Sequence, residues 1–405
     1  MKTKGEYAMD TVLNEAQALQ EQIRGWRREL HAFPEVGLET PRTEEYLCRQ
    51  LDAMGAEYRR GVGGHGVVAV VRGARPGGCL MFRCDCDGLP IREESGESFS
   101  SRNENMHACG HDAHSAMGLG AVKLLLARRR ELNGAVKVLF QPAEEIGAGA
   151  KAMMAGGCLE DPVPDAAFAI HVSMGSGERK KAGSFHFIKG AALACMDRFE
   201  IDLTGKGSHG AIPEMSRDPV VAAGRIVTGV QTIVSRNACP MCPSVVSVCQ
   251  FEAGETSNVI PETARLVGTA RTLWPQTRDL IERRLGEIAR LTAESMGVKA
   301  GVKYTRGAPP LLNDERVIGA AHKTAAALFG DENALFVNEP MLAGDDFAFY
   351  TEHVPGAMAF LVVPPPDGPA YNMHNCHFRI DDRWLWRGAA LFAALALGRP
   401  AKEGE

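Results

Sequence analysis

The sequence predicts an α/β protein, a mainly parallel sheet with helices on both faces, interrupted by a smaller inserted domain. Three observations predict it. Five short runs, VVAVV (67–71), CLMF (79–82), VKVLF (136–140), AAFAI (166–170) and AMAFLVV (357–363), are apolar without alternation. Strands of that kind are buried on both faces, as parallel sheets require. Helical periodicity marks 10–32, 41–54, 113–130, 147–156, 317–329 and 384–397, so most of the strands are separated by helices.

The third observation is a change of texture from about Met196. FEIDLT (199–204) alternates strictly, a helical pattern covers 219–236, strands cover 244–251 and 265–272, a helix covers 276–296, and a last strand covers 301–305. The order is βαββαβ with one wet sheet face, which predicts a ferredoxin-like domain. The expected division is therefore 1–195 with 308–405 for the first domain and 196–307 for the insert. A length of 405 residues, 45% of them hydrophobic, suits two domains. Edge strands of the insert need partners, and pairing two copies edge to edge predicts a homodimer.

Charge excludes some functions. The 45 basic and 50 acidic residues are spread along the chain, so no basic stripe addresses nucleic acid or an anionic membrane. The first residues, MKTKGEYAMD, contain no signal-peptide core, and the longest apolar run, 389–397, is too short to span a bilayer. A cytoplasmic protein is expected. Eleven cysteines without a secretion signal predict reduced thiols. Cys239-Pro-Met-Cys242 precedes a strand instead of opening a helix, so it reads as a loop and not as a redox pair. GVGGHG (61–66) lacks the lysine and the strand-to-helix setting of a phosphate loop and reads as a turn into VVAVV.

The polar residues that remain sit where strands end. Asp85 and Asp87 follow CLMF, Glu144 and Glu145 follow VKVLF, and His171 closes AAFAI; ligands of open α/β sheets bind at those ends. NMHACGHDAHSA (105–116) adds Cys109 and His111 just before a helix. Thiol, imidazole and carboxylate together suit a transition metal such as zinc, since magnesium and calcium take oxygen shells. In QPAEE (141–145) an extended backbone would point one glutamate at a metal and its neighbour at a substrate. That pairing suits hydrolysis: a metal lowers the pKa of bound water to about 7, and a carboxylate moves the proton to a leaving amine.

RCDCDGLPI (83–91), MHACGHDAH (106–114), FQPAEE (140–145), AIHV (169–172), GKGSHGAIP (205–213), SNVIPETA (257–264), GTART (268–272) and MHNCHF (373–378) follow one another along nearly the whole chain. Together they resemble the aminoacylase/carboxypeptidase group of clan MH metallopeptidases, which includes hippurate hydrolase and the indole-3-acetyl-amino-acid hydrolases. The resemblance implies two divalent ions per subunit (zinc, manganese or cobalt) on Cys109, His111, Glu145, His171 and His374, with Glu144 as general base. Asp87 would orient a ligand, with Asp85 sharing that duty; His107 and His114 are read as local hydrogen-bonding residues, and His377 receives no role.

In the insert, the resemblance implies that His209 reaches across the dimer to the scissile carbonyl, acting as a preorganised donor, and that Asn258 and Arg271 hold a free substrate carboxylate. The implied activity is cleavage of the amide of N-acetyl, benzoyl or indoleacetyl amino acids by a metal-activated water. Alternatives are a dipeptidase or carboxypeptidase of the same group, or a catalytically silent peptide-binding protein. The chain departs from the group at Gly344-Asp345-Asp346-Phe347, where S-E-D-F is usual, and at Met196 and Trp274.

Overall fold

In the computed structural model, which describes residues 4–175 and 181–400, the chain forms two compact units. One comprises Met1–Gly190, Leu312–Glu339 and Phe349–Glu405; the other comprises Ala191–Leu311 and Pro340–Ala348.

The first unit is built on eight strands: β1 (Glu57–Val62), β2 (Gly66–Arg72), β3 (Arg75–Asp85), β4 (Asn133–Gln141), β5 (Ala166–Ser173), β6 (Phe185–Phe187), β7 (Ala334–Phe336) and β8 (Gly356–Val362). Their order in the sheet is β1-β2-β4-β3-β5-β8-β6-β7. The central four, β4-β3-β5-β8, are parallel, while β2 runs antiparallel to both of its neighbours. VVAVV therefore lacks alternation because both its faces are covered and not because its neighbours are parallel. The helix His111–Ala127 has fourteen of its seventeen residues buried, which accounts for its weak polar face. It packs on β3 and against the helices Gln20–His31 and Leu385–Leu397. Phe82 of β3 and Phe392 of the last helix meet with ring centroids 4.4 Å apart across this core.

Two local departures from the sequence reading have simple causes. The pattern at 10–32 is two helices, Lys4–Ala18 and Gln20–His31, joined at Leu19 with φ −84° and ψ −2°. The bend lets Val12 and Ala16 before it, and Ile23, Trp26 and Leu30 after it, enter one core. The strand β1, EYRRGV, is missed because it is an edge whose side chains are mostly exposed, so no apolar pattern marks it.

The second unit has a four-stranded antiparallel sheet in the order Ser244–Ala253, Thr263–Thr272, Asp197–Thr204, Lys299–Thr305. With helices Pro219–Thr232 and Pro275–Glu294 between the strands, this is the ferredoxin-like βαββαβ arrangement. Phe199, Ile201 and Leu203 point inward while their neighbours face outward, and they meet Ile226 and Val230 of one helix and Ile281 and Leu285 of the other. Asp218 caps the first helix by accepting from Val220 N at 2.8 Å. A buried ion pair closes the strand ends: Arg278 donates to Asp197 at 2.6 and 2.8 Å, and Tyr304 Oη and Gly307 N fill the remaining acceptor positions.

This unit is wider than residues 196–307. Ala191, Ala194 and Leu273 form a small apolar cluster with Leu342, and Met341 N and Ala194 N close backbone bonds to Ala192 O and Ala343 O. Residues on both sides of the expected boundaries are thus drawn into it. All eleven cysteines are free, and seven are buried. Cys239 and Cys242 occupy a turn closed by Cys242 N to Cys239 O at 2.9 Å. No helix among the described residues is long and apolar enough to cross a membrane.

Candidate metal centre

The carboxyl ends of β3 and β4 are flush, Asp85 pairing with Gln141, and Arg83 of β3 pairs with Ala169 of β5. What leaves these ends therefore converges. Asp87 lies two residues beyond β3, Glu144 and Glu145 follow β4, and His171 is near the end of β5. Cys109 and His111 come from the start of the long helix. Gly110 between them has φ +87°, and a Cβ there would lie 2.4 Å from Val172 Cγ2. Glycine thus supplies both the left-handed turn and the clearance that aim a thiol and an imidazole at one point. His374 joins from the loop after β8, held by His374 N to Ala108 O at 2.8 Å; its own φ is +65°, uncommon for a non-glycine residue.

The structure brings together Cys109, His111, Glu144, Glu145, His171 and His374. Cys109 Sγ is 3.6 Å from His171 Nε2, His111 Nε2 is 3.9 Å from Glu144 Oε2 and 3.8 Å from Glu145 Oε1, and His374 Nε2 is 3.3 Å from Glu145 Oε2. Three overlapping triplets, Cys109–His111–His171, Cys109–Glu145–His374 and His111–Glu144–Glu145, each keep their ligand atoms within 4.8 Å of one another.

The glutamate pair corrects one expectation. Residues 144 and 145 lie in a turn and not on extended backbone, after Ala143 at φ +60°. Both carboxylates consequently approach His111 instead of pointing apart. The turn is fixed by Asp87, whose two oxygens accept from Glu144 N and Glu145 N, each at 3.2 Å, and which also meets His111 Nδ1 at 3.2 Å.

Two donor atoms test whether a cation fits. His111 Nε2 and Glu145 Oε1 are buried and have no hydrogen-bond partner, an arrangement that is costly unless something else coordinates them. The local field agrees. Burial lowers the pKa of His111, but Asp85, Cys109 and Asp87 outweigh it and hold the imidazole well above its ordinary value. A field that favours a proton there favours a divalent cation too. Burial pushes the Cys109 thiol up, against His111, whereas His171 is held well below its ordinary value by burial and by His114. The sulfur, nitrogen and oxygen donors fit a borderline transition metal.

The other histidines of the motif are occupied elsewhere. His114 Nδ1 bonds Asp85 and its Nε2 accepts from Val172 N at 2.9 Å. His107 Nδ1 faces Asp87 O at 3.1 Å, and burial pushes its pKa down to about 4. Asp85, bound to Arg83 and His114, is held well below its ordinary value by His111, Arg83 and His114 in spite of burial. Two residues escaped the sequence reading. Met373 brings its Sδ to 3.8 Å from Cys109 Sγ. Asp112 anchors the helix start by accepting from Arg27 Nε at 2.9 Å and His31 Nδ1 at 2.8 Å. Asp112 was visible inside HDAH, but its partners lie more than 80 residues away in sequence.

In the second unit, Val259–Ile260 pairs with Ser208–His209, and Gly210 N donates to Asn258 O at 2.7 Å. His209 and Asn258 are therefore neighbours, both exposed. Arg271 is not with them. It pairs with Val245, eight residues along the strand from Thr263, which is roughly 27 Å. Within one chain, Asn258 and Arg271 stand at opposite ends of the hairpin. Gly344 and Met196, two departures from the family pattern, prove to be a packed pair: a Cβ at 344 would lie 2.2 Å from Met196 Cγ. Asp345 accepts from Phe347 N at 2.7 Å. Nothing in the structure explains Trp274.

The donor set suits hydrolases that work with bound divalent ions. The chain belongs to peptidase family M20/M25/M40, whose model matches residues 81–398. It is 36% identical over 369 residues to N-acetyl-L-cysteine deacetylase of Bacillus subtilis, covering 90% of this chain and 85% of that one. It is 35% identical over 380 residues to hippurate hydrolase of Campylobacter jejuni, covering 94% and 97%. Among solved structures, a Bacillus subtilis protein described as a dinuclear metal-binding peptidase of the M20 family superposes with a TM-score of 0.80 at 32% identity, covering 94% of this chain and 98% of that one.

Proposed function

We propose that this protein hydrolyses the amide bond of N-acyl amino acids, of the N-acetyl, benzoyl or indoleacetyl kind, with a dinuclear centre on Cys109, His111, Glu145, His171 and His374. The observation that carries the reading is a pair of buried atoms that make no hydrogen bond, His111 Nε2 and Glu145 Oε1, 3.8 Å apart beside the Glu144 carboxylate. The names of the relatives, an N-acetylcysteine deacetylase and a hippurate hydrolase among them, support an acylated amino acid as substrate. Zinc, manganese and cobalt all suit the donors; when bound, such ions acidify water and polarise a carbonyl oxygen.

The chain's own residues do the rest. Glu144 accepts the water proton and delivers it to the departing amine, so its carboxylate must stay free of permanent coordination. Asp87 holds His111 and the 144–145 turn in register for that exchange. The insert serves as a dimerisation and lid domain. His209 donates to the developing oxyanion at the partner's centre, and Arg271 grips the substrate carboxylate through two parallel bonds. Because Asn258 and Arg271 stand at opposite ends of one hairpin, a shared clamp takes Asn258 and His209 from one copy and Arg271 from the other.

A dipeptidase or carboxypeptidase would use the same clamp, and acyl preference separates the readings. The metal-loaded protein is to be assayed with acetyl-, benzoyl- and indoleacetyl-amino acids and with dipeptides. Faster turnover of the acyl amino acids supports the proposal, and exclusive turnover of dipeptides refutes it. Absence of turnover on every member would favour a silent binding protein.

A further inference from the structure

The segment that carries His374 has a second set of donors, outside the buried centre. We infer that Glu94, Cys376 and His377 form a separate binding site for a thiophilic divalent cation of the zinc class. Their ligand atoms, a carboxylate oxygen, Sγ and an imidazole nitrogen, lie within 4.8 Å of one another.

The backbone holds this cluster ready. Glu94 N donates to Cys376 O at 2.8 Å, and His377 Nδ1 donates back to Glu94 O at 2.8 Å. His377 N is fixed in turn by Asn375 Oδ1 at 2.9 Å. The bond at Nδ1 leaves Nε2, 3.6 Å from the Glu94 carboxylate, as the nitrogen available to an ion. Metal-binding imidazoles are held in this way, one nitrogen to a carbonyl and the other to the ion. Cys376 Sγ faces the same carboxylate at 3.8 Å.

A bare surface ion pair between His377 and Glu94 would account for the imidazole and the carboxylate alone. Such pairs contribute little, and they do not need a thiol turned toward the same oxygen. The side chains of His377 and Glu94 are 40% and 61% exposed, so water can complete the shell and a soluble ion can enter. Thiolate and imidazole select zinc or cobalt over magnesium. An ion there would tether residues 93–94 to the segment that bears His374.

The test uses the metal-loaded full chain equilibrated with buffered zinc, with bound ions counted by mass spectrometry. Wild type is expected to bind one more equivalent than C376S or H377Q, or to bind it at least about tenfold more tightly, while the variants keep the ions and the turnover of the buried centre. Independently, zinc should slow alkylation of Cys376 by iodoacetamide at least about tenfold in wild type and not in H377Q. Equal stoichiometry and affinity in all three proteins, or an alkylation rate at Cys376 indifferent to zinc, would overturn the assignment.

Discussion

The carboxylate of Asp87 binds His111 Nδ1 with the same oxygen that accepts from Glu144 N, while its second oxygen accepts from Glu145 N. One residue thereby fixes two features: its backbone carbonyl, 3.0 Å from His111 Nδ1, and its carboxylate together set the imidazole tautomer, and the carboxylate shapes the turn that carries both glutamates. Asp87 is completely buried, and burial holds its pKa above the ordinary carboxylate value against the pull of His111.

Asp87→Ala is therefore expected to reach the centre without removing any donor atom. Metal retention against a competing chelator should fall by about 10–100-fold, and Asp87→Asn, which keeps one acceptor, should lie between the two. Retention equal to wild type in Asp87→Ala would leave Asp87 with a merely structural part.

The packing of Gly344 against Met196 has its own consequence. Gly344→Ser, which restores the residue usual in the family, should destabilise the fold by about 1–3 kcal/mol, because the added Cβ meets Met196 Cγ. Met196→Ala should remove most of that penalty in the double variant. The check is a double-mutant cycle by denaturant unfolding; additive losses would mean the two departures are independent.

His31 gives a pH dependence. It bonds Asp112 at 2.8 Å and Glu93 at 3.1 Å. Burial lowers its pKa, but Asp112 and Glu93 outweigh burial and raise it above the ordinary 6.5. A group raised on folding stabilises fully below its unfolded value and loses that contribution as pH climbs through the folded one. The Tm advantage of wild type over His31→Gln should be larger at pH 6 than at pH 9, as read by calorimetry. A constant or widening gap contradicts the charged-histidine network.

Legibility in the sequence followed physical cause. The unalternating runs revealed the central strands because both their faces are covered, and FEIDLT revealed the insert because one face is wet. The edge strand EYRRGV left no apolar pattern, and the bend at Leu19 carries no glycine or proline to mark it. At the centre, residue types at strand ends pointed to Glu144, Glu145 and His171, and the motif before the long helix added Cys109 and His111; His374 was reached only through the family resemblance. The turn at 143–145 was not legible, because Ala143 gives no hint of a positive φ. Nor was Met373 beside Cys109, whose Sδ contact spans 264 residues.

The proposed substrate clamp is open to a chemical test. Amidating the carboxylate of an N-acyl amino acid should cost wild type a large part of kcat/KM and cost Arg271→Ala little further, since the guanidinium has already been removed. Equal losses in the two proteins would move the carboxylate site elsewhere.

The central claim is that Glu144 moves protons while Glu145 holds metal, although the two are adjacent and both approach His111. The most direct measurement is metal content together with turnover of an N-acyl amino acid for Glu144→Ala and Glu145→Ala, each folded and equilibrated with the same ion. Glu144→Ala should keep near-normal metal and lose roughly two or more orders of magnitude in turnover, whereas Glu145→Ala should lose metal. The reverse pattern, or full turnover in a preparation shown to hold no metal, would contradict the account.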